Sequence, residues 1–255
     1  MILKKITIEN FRCFKNYEVD LTPGITVFIG KNGAGKTSLL NAIRYGLSVF
    51  FSNDSTMGDD LLISGNPDLK VISTLATDFY RAQNADLPAV DLTINMEAEF
   101  NDIPLNWEYY KRSTSGASLF VSKYQQAYRT LMAEYHNSDQ LPLFVFYSDS
   151  FPHIDTRTSD FAKKAIKEQG YIIRNFAYYK WNSEVSCTSI WQNRFINSML
   201  KQISLNDSDP LNSKEVEYIK NKLRTFFEPI ISGLEERVVF ELKDSFRVEK
   251  VKRLP

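Results

Sequence analysis

The sequence predicts an α/β fold in which a buried strand delivers a glycine-rich loop to the start of an amphipathic helix. Three adjoining patterns carry that expectation. Ile25-Thr26-Val27-Phe28-Ile29 is an apolar, β-branched run suited to a strand covered on both faces. Gly30-Lys31-Asn32-Gly33-Ala34-Gly35-Lys36-Thr37 follows directly. Leu39, Leu40, Ile43 and Leu47 then recur at helical spacing, and that helix should fade near Asn53-Asp54.

The flanking elements follow from periodicity. Ile6 and Ile8 alternate with Lys5, Thr7 and Glu9, and Tyr17, Val19 and Leu21 alternate with Glu18 and Asp20, which predicts an antiparallel pair of half-buried strands. Pro23-Gly24 marks a turn, and the polar stretch Ser52–Asp68 reads as an exposed loop. Strands are expected over Val90–Phe100 and Leu105–Lys111, and a helix on the stripe Phe120, Tyr124, Tyr128, Leu131 and Tyr135. Leu143–Tyr147 returns to a buried strand. Asp149–Gly170 is rich in turn residues and is the best internal boundary, so the expected organisation is a lobe over 1–150 and a mostly helical region over 151–255. That region carries one helix on Trp191, Phe195, Met199 and Ile203. A second uses Val216, Ile219, Leu223 and Phe226, with Asn212 and Glu215 at capping-box spacing. Arg237–Lys243 and Phe246–Val251 read as a closing hairpin.

Composition bounds the functions open to the chain. Its 255 residues are 43% hydrophobic and 24% charged, ordinary values for a globular protein. Thirty-one basic residues balance thirty-one acidic ones, so net charge makes no case for a nucleic-acid partner, although a local basic patch stays open. Cys13 and Cys187 are too few for a disulfide framework and suit free thiols in a reducing cytosol. His136 and His153 have no ligand-spaced neighbours, which argues against zinc. The opening residues lack the apolar core of a signal peptide, and Leu141–Tyr147 is far too short to span a bilayer. The expected location is the cytoplasm, with no membrane partner.

The segment Gly30–Thr37 fits G-x-x-x-x-G-K-[ST] without exception. A chance match in a chain this long is on the order of one in a hundred, and the strand before it and helix after it supply the required context. Glycines at 30, 33 and 35 free the backbone to point successive N–H groups inward at phosphates, and the helix adds its positive N-terminal end. Lys36 is expected to bridge the β- and γ-phosphates of ATP, and the Thr37 hydroxyl to ligate Mg2+. Ser38 is expected at the α- or β-phosphate, with Lys31, Asn32 and Ala34 completing the cradle.

The opening Lys5–Arg12, then Ile25–Ile29, then Gly30 through Ile43 together resemble the SMC/RecF/OLD branch of ABC-type ATPases. In that branch a short strand ends in Asn-Phe-Arg and the loop carries Asn-Gly before Ala-Gly-Lys. The resemblance implies a P-loop NTPase fold: an ABC-ATPase head with an antiparallel β subdomain and a helical insertion. It also implies that Arg12 sits near the phosphates, where the residues alone equally allow a surface arginine at a strand end. Leu141–Ser148 is similar to a mid-domain strand of bacterial defence ATPases, including those of Septu and retron anti-phage systems.

That family hydrolyses ATP with an apolar strand ending in Asp-Glu and a Leu-Ser-Gly-Gly-Gln-like loop given across a dimer. Neither is present in this sequence. Leu143–Asp149 lacks the glutamate, and Ile231–Glu235 is followed too soon by Val238–Glu241, which lacks the pair. Three readings follow, with no catalytic carboxylate assigned. The chain is the N-terminal portion of a longer ATPase, which is the favoured expectation, or the second half is a separate polypeptide, or the protein only binds nucleotide. The function expected from the resemblance is an ATP-binding head that dimerises through its ATP site. It would control a nuclease or other effector in anti-phage defence or DNA repair. A non-hydrolysing, ATP-sensing scaffold is the alternative, and Asn-Phe-Arg argues against a transporter subunit. Lys163, Lys164 and Lys167, and Lys220, Lys222 and Arg224, form basic runs that leave nucleic-acid contact open, although such runs are more often solvated helix faces.

Overall fold

In the computed structural model the described residues are 1–52, 69–114, 119–138, 140–146, 178 and 181, with positions 217–218, 221–222 and 224–225. The chain divides into two compact units, Met1–Cys187 and Thr188–Pro255.

Period-two alternation builds the sheet of the first unit. Strands β1 (Ile2–Phe11) and β2 (Phe14–Asp20) form the expected antiparallel pair, with Ile6 opposite Val19 and Ile8 opposite Tyr17. β1 also pairs antiparallel with β3 (Leu92–Phe100), and β3 with β4 (Ile103–Lys111), giving the order β2-β1-β3-β4. Asn101 and Asp102 join β3 to β4 with φ of 50° and 63°. A two-residue hairpin turn needs positive φ at both positions, and short polar side chains tolerate it best. Ile6, Ile8, Ile94, Met96, Trp107 and Tyr109 make the buried face. Lys5 and Glu18 pair at 2.7 Å on the other, where solvent keeps the contribution small.

Helix α1 (Lys36–Ser48) lies on the buried face and touches it most closely at Gly46. A Cβ there would stand 2.1 Å from Met96 Sδ, and Trp107 Nε1 donates to the Gly46 carbonyl at 2.7 Å. Gly46→Val should therefore push α1 off β3 and lower stability by about 1–3 kcal/mol. Urea midpoints of the two proteins check this, and an unchanged midpoint would show that Met96 turns aside at no cost. After α1, Phe50 and Phe51 pack with Phe144, Tyr178 and Trp181, with ring centroids 5.3 to 6.2 Å apart. Helix α2 (Gln125–Ser138) buries Ala127, Tyr128, Leu131 and Met132 and packs by β4. It starts later than the stripe from Phe120 predicts, because the Phe120 ring instead stands edge-on to Tyr110 at 5.0 Å.

Other expectations are corrected. Ile25–Ile29 forms no strand, and Ile25, Val27 and Ile29 are 91%, 71% and 92% exposed. An apolar run of this kind is buried only when paired strands and packed layers cover it, and none of β1–β4 pairs with it. The described part of Leu143–Tyr147 behaves likewise: Leu143 and Val145 face solvent, while Phe144 tucks into the aromatic layer. Leu40, read as part of the apolar stripe of α1, is 46% exposed; Leu39, Ala42, Tyr45 and Leu47 carry the buried side.

In the second unit, positions 217, 218, 221, 222, 224 and 225 are helical and exposed. They alternate with the predicted stripe of Val216, Ile219, Leu223 and Phe226, which lies outside the described residues. Also outside them are the loop from Asn53 to Asp68, the boundary at Asp149–Gly170, the helix on Trp191 and the hairpin over 237–251. Among the described residues no helix is long and apolar enough to cross a membrane.

Candidate nucleotide-binding site

The glycine-rich loop caps α1. Gly35 is the residue before its first turn and takes a left-handed φ of 93°, and Gly33 has φ of 84°. Both conformations are closed to most side-chain-bearing residues. Gly30 departs from the expected reason for its presence. Its φ is not positive, but a Cβ there would lie 3.3 Å from the Ala34 Cβ, so close approach explains that glycine. The Ala34 N–H donates to the Lys31 carbonyl at 3.1 Å and closes the turn.

Lys36 bends back over this loop, and its ammonium donates to the Gly30 and Lys31 carbonyls at 2.8 and 2.9 Å. Thr37 is exposed in the first turn and Ser38 is half-buried beside it. No acidic residue occupies that turn, so the positive helix end, Lys31 and Lys36 act together on any anion there. Lys31, Asn32 and Ala34 are all exposed along the loop. The donor set fits a magnesium nucleotide: left-handed glycines open the cradle, one ammonium sits at its mouth, and one hydroxyl stands at the helix start.

Asn10-Phe11-Arg12, at the end of β1, fastens a distant segment beside the loop. Asn10 takes φ of 55°, accepts a hydrogen bond from the Tyr80 N–H at 2.9 Å and donates through Nδ2 to the Val90 carbonyl at 3.0 Å. Phe11 is fully buried and stands edge-on to Tyr45 at 5.5 Å. Arg12 takes φ of 50° and pairs through Nε with Asp78 Oδ1 at 2.9 Å. The next residues lie on the loop itself: a Cβ on Gly35 would stand 2.8 Å from Cys13 Sγ and 2.9 Å from Phe14 Cζ. Tyr45, on α1, donates to Asp78 Oδ2 at 2.9 Å. Burial and then the neighbouring carboxylate push that phenol up to about 12, so it stays a donor at neutral pH.

Sequence reasoning missed Asp78 and Tyr45 in this cluster. No local pattern could have joined them, since the contact spans the chain between α1 and the segment before β3. A faint signal existed in Tyr45, a hydroxyl-bearing aromatic on the buried side of α1, which needs a partner when covered. Asp149 and Glu241, and most of the basic runs, lie outside the described residues; Lys222 and Arg224 are exposed.

The model of the AAA ATPase domain family matches residues 1–244. The chain belongs to that family. Its fold is accordingly an α/β P-loop NTPase fold, and the family implies a bound nucleotide, typically with Mg2+. Among curated relatives, the DNA replication and repair protein RecF of Azobacteroides pseudotrichonymphae genomovar. CFP2 is 23% identical over 251 residues, 95% of this chain and 64% of that protein. RecF of Lactobacillus acidophilus is 44% identical over 62 residues, which are 24% of this chain and 16% of that protein. The DNA double-strand break repair Rad50 ATPase of Halobacterium salinarum is 38% identical over 63 residues, 25% of this chain and 7% of its own. The chain thus spans under two thirds of the length of these relatives. A solved structure concerning ATP-driven dimerisation and DNA-stimulated activation of SMC ATPases covers 51% of this chain and 80% of its own. Its identity is 13% and its TM-score 0.34, too loose a likeness to carry an argument. The resemblance to the SMC/RecF branch therefore rests on the sequence relatives.

Proposed function

We propose that this chain is the ATP-binding head of an SMC/RecF-like ABC-type ATPase. The observation that carries the reading is the phosphate loop at the start of α1, with Lys36 held over it by the Gly30 and Lys31 carbonyls. In this reading Lys36 exchanges those carbonyls for the β- and γ-phosphates of ATP, and the N–H groups of Gly33–Ser38 hold the remaining phosphate oxygens. The Thr37 hydroxyl ligates Mg2+, which neutralises charge on the triphosphate. Arg12 approaches the γ-phosphate from the turn between β1 and β2. The assembled protein would be a cytoplasmic dimer closed around ATP, switching a nuclease or other effector in DNA repair or anti-phage defence. Nucleic acid would be a ligand of the assembly. RecF and Rad50 among the relatives favour the repair side of that choice.

ATP titration with magnesium tests the binding, and light scattering with and without ATP tests the dimer. Failure to bind would remove the reading. The 255-residue chain should also bind ATP without releasing phosphate, because no Asp-Glu pair closes an apolar strand to hold magnesium and orient water. This lack of the pair is what favours the second reading, a scaffold that senses ATP. Phosphate release that disappears in Lys36→Ala would overturn the expectation and direct attention to Asp149 and Glu241.

A further inference from the structure

We infer that Asp78 is a positioning residue of the nucleotide site, aiming the Arg12 guanidinium and tying it to the helix that carries the phosphate loop. The inference rests on the proposed reading of Arg12 as a γ-phosphate contact and adds to it a residue from a distant part of the chain.

The Asp78 side chain is only 2% exposed, and a carboxylate in that position needs charge and hydrogen bonds to remain there. It has both. Oδ1 accepts from Arg12 Nε at 2.9 Å, and Oδ2 accepts from the Tyr45 hydroxyl at 2.9 Å and the Leu75 N–H at 2.8 Å. The backbone adds a further tie, since the Arg12 N–H donates to the Asp78 carbonyl at 2.7 Å. Three pieces of the fold meet on one side chain: the β1–β2 turn, the segment around residue 78, and α1.

The way Arg12 is held matters. Asp78 engages only its Nε edge, and among the described residues Nη1 and Nη2 make no hydrogen bond or ion pair. The Nη pair is an edge of the guanidinium that grips a phosphate through two parallel N–H bonds. Arg12 remains 31% exposed at the side chain, so that edge is not sealed away. Its φ of 50° is an uncommon conformation for a non-glycine residue and persists only when its surroundings impose it. The two-residue turn Arg12-Cys13 between the paired Phe11 and Phe14 imposes it, and Asp78 ties that turn down through the Arg12 side chain and backbone at once. Cys13, the next residue, meets Gly35, which places the aimed arginine beside the phosphate loop. An arginine serving only to neutralise Asp78 has no need of a site against that loop.

The test is a double-mutant cycle on the full chain, titrating ATP and ADP in the presence of magnesium. Arg12→Ala should weaken ATP by about tenfold or more and ADP little, the loss of one charge-assisted contact to the γ-phosphate. Asp78→Asn keeps the shape and removes the charge, and should weaken ATP selectively by about fivefold. In the Arg12→Ala background the same Asp78→Asn change should leave the ATP:ADP affinity ratio where it was. A ratio that Asp78→Asn does not move, while Arg12→Ala does, would make Asp78 a structural residue and overturn the inference alone. If Arg12→Ala itself leaves the ratio unchanged, the γ-phosphate reading of Arg12 falls and the inference falls with it. Should Asp78→Asn fail to fold by circular dichroism, Tyr45→Phe decides. It removes one bond to Oδ2 and should shift the ratio by about twofold, and no shift would overturn the inference.

Discussion

Lys36→Ala is expected to lower affinity for magnesium ATP by about a hundredfold or more, because it removes the loop's central charge-assisted contact to phosphate. The fold should survive. Lys36 is only half-buried, and its ammonium contacts are two carbonyls at the mouth of the loop, so truncation opens no core cavity. The loss of those two bonds should change stability by about 1 kcal/mol or less, since solvent replaces them. Isothermal titration with each nucleotide, beside thermal melts of both proteins, separates the two effects. Equal affinity for ATP in the variant would remove the phosphate-loop reading. A collapse in melting temperature would instead mean that the lysine holds the loop together as much as it awaits a ligand.

What the sequence made legible depended on how local the cause was. The pair β1–β2, the separate strands β3 and β4 and the start of α1 each follow from a period that neighbouring residues display together. The β3–β4 pairing, by contrast, lay outside the expectation, and α1 ends at Ser48, with a single 3-10 turn over Val49–Phe51, rather than near Asn53-Asp54. No expectation covered the Asn101-Asp102 turn, although its cause is equally local, being contained in those two short polar side chains. Ile25–Ile29 and Leu143–Val145 show the opposite case. Their composition says that they belong under cover, but nothing in a run of apolar residues says what covers them. Among the described residues no strand pairs with either. Arg12 stood open between a phosphate contact and a surface arginine. The structure shows a residue paired with a buried carboxylate, one position before the cysteine that meets Gly35, which neither description contains. That pairing joins positions sixty-six apart in the chain, beyond the reach of any motif. The same limit hid Tyr45, whose place on α1 was legible while its partner was not.

Gly35→Ala should cost more than any other single-methyl change in the loop, for two separable reasons. The first is conformational: φ is 93° at this position, and a Cβ in left-handed backbone costs roughly 1–2 kcal/mol. The second is steric, because the new methyl would stand 2.8 Å from Cys13 Sγ and 2.9 Å from Phe14 Cζ. Relieving that contact moves the turn between β1 and β2, and Arg12 moves with it. The combined destabilisation should reach about 2–4 kcal/mol. Nucleotide affinity should fall with it, since rotating the Gly35 backbone turns the adjoining N–H groups away from the cradle. Cys13→Ala in the Gly35→Ala background separates the causes. It removes the sulfur clash but leaves the φ strain and the Phe14 contact, so it should restore part of the stability and little of the binding. Denaturant midpoints and ATP titrations of the wild type and the two variants read both quantities. Wild-type affinity in Gly35→Ala would show that the loop does not hold phosphate in the conformation described, whereas full rescue by Cys13→Ala would leave the steric contact as the whole of the effect.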